Sequence, residues 1–154
     1  MKKLILVLFF AIFAFGASYA QKGQMGLGVQ LDLASENNLV GLGGHFNYNI
    51  TNPLRFQFSG DYYFEHKGMS MGDINFDLHY LFNVGSGVRV YPLAGLTVEF
   101  FSGYGDSETR VGGNIGGGIE FDVARNLSMG AELKGQLVND FSRFNSAFKV
   151  TYKF

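Results

Sequence analysis

Residues 54–64 read Leu54-Arg55-Phe56-Gln57-Phe58-Ser59-Gly60-Asp61-Tyr62-Tyr63-Phe64, and the spacing of their apolar positions decides the fold. Leu54, Phe56, Phe58, Tyr62 and Phe64 share one parity, while Arg55, Gln57, Ser59 and Asp61 share the other. A repeat of two is the signature of a strand whose faces meet different surroundings; a helix would repeat at 3.6. Working back toward the N-terminus, Met25, Leu27, Val29, Leu31 and Leu33 alternate with Gly26, Gly28, Gln30 and Asp32. Val40, Leu42, Phe46, Tyr48 and Ile50 then alternate with Gly43, His45, Asn47 and Asn49.

Toward the C-terminus the pattern continues. Ile74, Phe76, Leu78, Tyr80, Phe82 and Val84 oppose Asn75, Asp77, His79 and Asn83. Val88, Val90, Ala94, Leu96, Val98 and Phe100 oppose Arg89, Tyr91, Thr97 and Glu99. Ile115, Ile119, Phe121 and Val123 oppose Gly116, Gly118, Glu120 and Asp122. Leu127, Met129, Ala131, Leu133 and Leu137 oppose Ser128, Glu132, Lys134 and Gln136. Phe144, Phe148, Val150, Tyr152 and Phe154 oppose Asn145, Lys149, Thr151 and Lys153. That makes eight segments, an even number, and none carries helical spacing.

The links between segments alternate in length. Those after the second, fourth and sixth are minimal: Thr51-Asn52-Pro53, Gly85-Ser86-Gly87 and Ala124-Arg125-Asn126. Ser35–Asn38, Glu65–Gly72, Ser102–Arg110 and Asn139–Ser142 are longer and more polar. Short turns at one end and longer loops at the other are the habit of bacterial membrane barrels, periplasmic turns below and outer loops above. Both ends of the barrel chain then lie on the periplasmic side.

Periodicity does not say which face points inward, but volume does. An eight-stranded barrel has a bore just wide enough for its own side chains. The aromatic-rich face is too bulky for it, whereas the face rich in Gly, Ser and Asn fits. Composition agrees: charged residues are 16% of the 154, well below the quarter usual for soluble domains, and aromatics are also 16%. The expected fold is therefore all-β, a transmembrane eight-stranded antiparallel up-and-down barrel with an apolar exterior. Tyr48, Tyr80, Phe82, Phe121 and Tyr152 toward the periplasm, and Phe64, Phe76, Phe100 and Phe144 toward the loops, are expected to form interfacial girdles.

The charges expected to face the bore are Asp32, Asp61, Asp77, Glu99, Glu120, Asp122 and Glu132 with Arg55, Arg89, Lys134, Lys149 and Lys153. Antiparallel register counted across the links puts Glu132 near Lys149 and Arg89 near Asp122, which predicts neutralising ion pairs along the lumen. The same charges leave a narrow ion path open as an alternative. Pro92 falls inside the fifth segment, where a missing N–H predicts a bulge or an irregular stretch.

Residues 1–20 follow a different logic. Lys2 and Lys3 precede an apolar run from Leu4 to Phe15, followed by Gly16, Ala17, Ser18, Tyr19 and Ala20. This predicts a signal peptide cleaved after Ala20, the run being shorter than the ~20 residues of a spanning helix. Residues 21–154 then form the barrel domain. Cleavage removes two of the twelve basic residues and none of the thirteen acidic ones, leaving a formal charge of −3. That balance argues against a nucleic-acid partner, and the absence of Cys excludes a disulfide frame and thiolate metal sites.

The final segment, Phe148-Lys149-Val150-Thr151-Tyr152-Lys153-Phe154, resembles the terminal signal read by the outer-membrane assembly machinery, with Phe148, Val150, Tyr152 and Phe154 at alternate positions. With the signal peptide and turn pattern, the chain looks like the small outer-membrane barrels of the OmpX and OmpA-membrane-domain type. The resemblance implies outer-membrane localisation and a monomer among outer-membrane lipid and lipopolysaccharide. It also implies delivery by periplasmic chaperones and insertion by the barrel assembly machinery, with roles from envelope integrity to surface contact. It implies no cofactor and no catalytic residue. The longer links look too short and plain for the extended sheet of adhesive relatives.

Barrels resembling the lipid A deacylases carry a His followed two places later by Ser. His45 is followed by Phe46-Asn47, His66 by Lys67-Gly68 and His79 by Tyr80-Leu81, so that pairing is absent. Gly41–Gly44 and Gly112–Gly118 lack the spacing of a phosphate cradle and are expected to relieve crowding. Asp106 and Glu108 read as solvated loop charge rather than a cation site. The functional expectation is a non-catalytic integral barrel with a structural, envelope-integrity or surface-interaction role. A narrow pore and an outer-leaflet lipid-modifying enzyme stand as alternatives. If residues 1–20 are a signal peptide, protein recovered from outer membranes begins at Gln21 by intact mass; a mass retaining Met1 would contradict that boundary.

Overall fold

The computed structural model describes residues 2–4, 22–35, 39–66, 69–103, 105–138 and 141–154. Most of the apolar run and the expected cleavage point after Ala20 lie outside the described residues, as do Glu36–Asn38, Lys67, Gly68, Asn139 and Asp140 in the expected loops. No helix among the described residues is long and apolar enough to cross a membrane, which says nothing of strands.

Eight staves build a single sheet: β1 (Met25–Ala34), β2 (Leu39–Asn49), β3 (Leu54–His66), β4 (Met69–Tyr80, resuming as Phe82–Gly85), β5 (Val88–Gly103), β6 (Asp106–Ala124), β7 (Leu127–Val138) and β8 (Phe141–Lys153). Each pairs antiparallel with its chain neighbours, and β1 pairs with β8, so the sheet closes. Cross-strand partners can be followed from Met25 to Tyr48, Phe56, Leu78, Ala94, Ile115, Gly135 and Phe144. The amide of Ser35 donates to the Phe144 carbonyl (2.9 Å), so the circuit rejoins β1 ten residues above its start at Met25. A shear of this size tilts the strands by about 40° and sets a bore that side chains can fill.

The burial pattern is that of a membrane barrel. Asp77, His79, Glu99 and Gln136 are fully buried, whereas Leu27, Leu96 and Phe148 are about 60% exposed. Of the expected girdle residues, Tyr48, Phe64, Phe76, Phe100, Phe121, Phe144 and Tyr152 stand exposed on the outer wall. Phe82 is the exception: its ring lies 4.9 Å from that of Tyr80 and it is buried.

Four sequence expectations need correction. The stretch Ser102–Arg110 is not a loop, because β5 and β6 stay paired up to Gly103 opposite Asp106. Ladder hydrogen bonds come from the backbone, so the strands continue after their outward side chains have turned polar at Ser102, Ser107 and Thr109. Likewise β3 reaches His66 and β4 starts at Met69 within the expected loop Glu65–Gly72, and β8 starts at Phe141 within Asn139–Ser142. Finally, Pro92 produces no bulge in β5. His79 pairs with Leu93 and Phe82 with Val90, one unbroken register, and the interruption falls on the neighbouring stave at Leu81. The Leu81 amide donates instead to the Pro53 carbonyl (2.7 Å), so its hydrogen bond is kept.

Because β6 pairs with β7 only from Gly112 opposite Val138, the β5–β6 hairpin stands above its neighbour. At the opposite end Gly87 (φ 73°) takes the left-handed conformation that lets the β4–β5 turn close with two residues, Ser86 and Gly87. A lipid-facing charge should be costly in this arrangement. Leu96→Arg is expected to lower stability by about 2–4 kcal/mol, read from urea unfolding in lipid vesicles; an unchanged midpoint would place this wall elsewhere than in hydrocarbon.

Candidate functional site: the barrel lumen

Inward side chains from all eight staves meet in the bore, where most of the buried polar and charged groups lie. Its space is set partly by glycine. A Cβ on Gly43 would collide with the Asp61 carboxylate, and one on Gly118 would meet the Tyr91 ring at 2.5 Å. The glycine clusters thus clear room for larger partners across the bore.

At the end that carries the short turns Arg89 Nη2 lies 2.6 Å from Asp122 Oδ1 and 2.9 Å from Glu120 Oε1. Arg55 holds the other Glu120 oxygen at 2.8 Å, and Lys153 reaches Asp122 at 2.5 Å. Asp122 sits at the open mouth rather than deep in the lumen. Midway along, Glu132 Oε2 accepts from Lys149 Nζ and from the Tyr91 hydroxyl, both at 2.8 Å. Lys149 also donates to Gln57 (2.6 Å), and Lys134 stands 3.4 Å from Asp77. The structure therefore brings Arg89 to Asp122 and Lys149 to Glu132.

The half toward the longer links depends on two residues that the sequence reading omitted from the lumen. Arg143 Nη2 lies 2.9 Å from Asp73 and 3.1 Å from Glu99, while its Nε donates to Gln136 (2.5 Å). Both Asp73 and Arg143 lie just beyond the segment ends read from the sequence. Carrying the alternation two residues further, from Asn75 to Asp73 and from Asn145 to Arg143, would have found them. Asp32 and Asp61 sit differently from the expected ion pairs: Gln30 Nε2 bridges them, at 2.7 Å from Asp61 and 3.3 Å from Asp32.

Apolar layers bound this network. Ala34, Tyr63 and Met71, with Leu39 and Phe101 against them, cover the end away from the short turns; Leu81, Tyr91 and Leu93 cluster nearer those turns. Two cavities near the short-turn end, of about 20 and 10 Å³, have room for about one water each. On the protruding hairpin, Arg110 stacks over Phe101 and pairs with Glu108 (2.9 Å), whose carboxyl it holds below the usual range.

The histidines are built into the wall. His45 Nε2 is 2.8 Å from Thr151 Oγ1, and His79 stacks on Tyr91 with centroids 4.4 Å apart. Both are buried; the His66 side chain lies outside the described residues. No group of three or more His, Cys, Asp or Glu suited to a metal occurs among the described residues. Phe148 and Tyr152 point outward on β8 and Val150 lies between them; Phe154 follows, its amide donating to the Met25 carbonyl (2.9 Å).

Comparison with known proteins follows from this geometry. The sequence model of the outer membrane protein beta-barrel domain matches residues 4–154. Among solved structures, the N-terminal β-barrel domain of Pseudomonas aeruginosa OprF superposes with a TM-score of 0.76 at 20% identity, over 86% of this chain and 98% of that one. Neisserial surface protein A gives 0.69 at 21% identity, over 85% and 96%. Ail, the attachment invasion locus protein of Yersinia pestis, gives 0.60 at 19% identity, over 87% and 100%. At these identities the likeness is one of fold. No curated protein matches the chain by sequence.

Arg143 is the cation that holds Asp73 and Glu99 together. Arg143→Met should therefore cost about 3–5 kcal/mol in vesicle unfolding, because two buried carboxylates lose their partner. Adding Asp73→Asn and Glu99→Gln should restore most of it; a single variant as stable as the parent would show that the pair is incidental.

Proposed function

We propose that this chain, which belongs to the outer membrane protein beta-barrel domain family, is a non-catalytic integral element of the outer membrane with a structural and surface-presenting role. The observation that carries this reading is the filled lumen. Arg143, Asp73 and Glu99 fill it toward the longer links, Lys149, Glu132 and Tyr91 fill it midway, and two lumen cavities beside them have room for about one water each. A solute has no continuous path. The buried histidines are equally remote from an outer-leaflet substrate, since His79 is fully enclosed.

In this reading outer-membrane phospholipid and lipopolysaccharide surround the apolar wall. The mature protein begins after Ala20, and both of its termini face the periplasm, the side of the short turns. Chaperones deliver the chain, and the assembly machinery reads Phe148, Val150, Tyr152 and Phe154. The β5–β6 hairpin, rising past the end of β7, offers surface to the outside.

A planar bilayer containing the refolded protein should show no steady conductance above the bare membrane, and lipid A from expressing cells should keep its mass. Reproducible single-channel steps would favour the pore, and a shifted lipid A mass would favour the enzyme.

A further inference from the structure

Four of the glycines that line the bore share one arrangement. Gly28, Gly43, Gly95 and Gly118 each lie directly between two cross-strand partners: His45 and Thr151, Gln30 and Asp61, Asp77 and Asn114, Tyr91 and Glu132. In every case those two partners are hydrogen-bonded to each other. Gln30 Nε2 donates to Asp61 Oδ1 (2.7 Å), Asn114 Nδ2 to Asp77 Oδ1 (2.8 Å) and the Tyr91 hydroxyl to Glu132 Oε2 (2.8 Å). His45 Nε2 lies 2.8 Å from Thr151 Oγ1.

Adjacent strands stand about 4.8 Å apart, so each of these bonds spans two intervals and passes over the strand between them. Only a residue without a side chain leaves that passage clear. A Cβ on Gly28 would stand 2.5 Å from His45 Nε2, and one on Gly118 would stand 2.5 Å from the Tyr91 hydroxyl oxygen. On Gly43 and Gly95 it would overlap the Asp61 and Asp77 carboxylates. The side chains therefore strap together pairs of strands that are not neighbours in the sheet.

One strap differs from the other three. Gln30–Asp61, Asn114–Asp77 and Tyr91–Glu132 join positions 31, 37 and 41 residues apart, whereas His45 and Thr151 are 106 apart. The strand it crosses is β1, whose pairing with β8 closes the sheet. The other pairings in the circuit join consecutive strands held close by their own links. Only the seam has to bring the two ends of the barrel together, against the larger closure entropy of a long loop.

We propose that the His45–Thr151 hydrogen bond is a clasp on the closing seam, tying β2 to β8 over β1, with Gly28 as the gap through which it passes. Both side chains are buried, so bulk water does not compete for either group. The hydroxyl is donor and acceptor at once, so it serves either tautomer of the ring. β1 cannot part from β8 while the clasp holds, because the same bond pins β8 to the strand on the far side of β1.

Residue-by-residue amide hydrogen exchange of the refolded barrel in lipid nanodiscs tests the clasp. Thr151→Val keeps the shape of the side chain and removes the hydroxyl. It should speed exchange of the β1–β8 seam amides roughly five- to tenfold, the worth of one net hydrogen bond, and leave the β5–β6 amides unchanged. Thr151→Ser should exchange like the parent, and Tyr91→Phe, which removes the strap over Gly118, should not single out the seam. Seam amides unaffected by Thr151→Val, quickened no more than those of β5–β6, or quickened equally by Thr151→Ser or Tyr91→Phe, would overturn the proposal. Should Thr151→Val give no heat-modifiable barrel, His45→Phe keeps a ring over Gly28 without a hydrogen-bonding nitrogen and carries the same test.

Discussion

Hydrocarbon contains nothing that can hydrogen-bond to a peptide group, and that constraint governs the rest of the molecule. Every backbone N–H and C=O at bilayer depth must find its partner within the protein. A sheet meets this only by closing on itself, which the pairing of β1 with β8 accomplishes. Even the defect at Pro92 conforms: the register continues across it, and the displaced Leu81 amide finds the Pro53 carbonyl. Closure with a shear of ten residues then fixes the bore, and the bore fixes which side chains can occupy it.

The interior follows from that geometry. A lumen too narrow for solvent still receives the inward half of every strand, and those residues are polar because the outward half has to be apolar. Ionic side chains enclosed in this way are tolerable only when paired and hydrogen-bonded. Layers of pairs meet the requirement: Arg89 and Arg55 with Glu120, Lys149 with Glu132, Arg143 with Asp73 and Glu99. The same pairs that make burial tolerable also fill the bore between the strands.

The closed, outward-greasy cylinder was legible in the sequence because alternation at a period of two is set by the two environments, and volume decides which is which. Counting across the longer links also put Lys149 near Glu132 and Arg89 near Asp122, but two residues off the true register: Arg89 lies opposite Glu120 and Glu132 opposite Ala147, and the long side chains meet diagonally. What counting lost was strand length at the end away from the short turns. Once Ser102, Ser107 and Thr109 rise above the lipid they no longer need to be apolar, and the hydrophobic signal stops before the hydrogen-bonded ladder does. Asp73 and Arg143 were missed for that reason. The burial of Phe82 was not legible either, since it depends on where the Tyr80 ring lies.

The central claim is that large apolar side chains meet acyl tails while polar ones line the bore. Nitroxide labels on single cysteines at Leu27, Leu96 and Phe148, in protein reconstituted in lipid vesicles, test it most directly. The account predicts that dissolved oxygen relaxes these labels strongly and that a water-soluble nickel chelate hardly reaches them. Labels at these three positions relaxed by the chelate, or shielded from both agents, would contradict it.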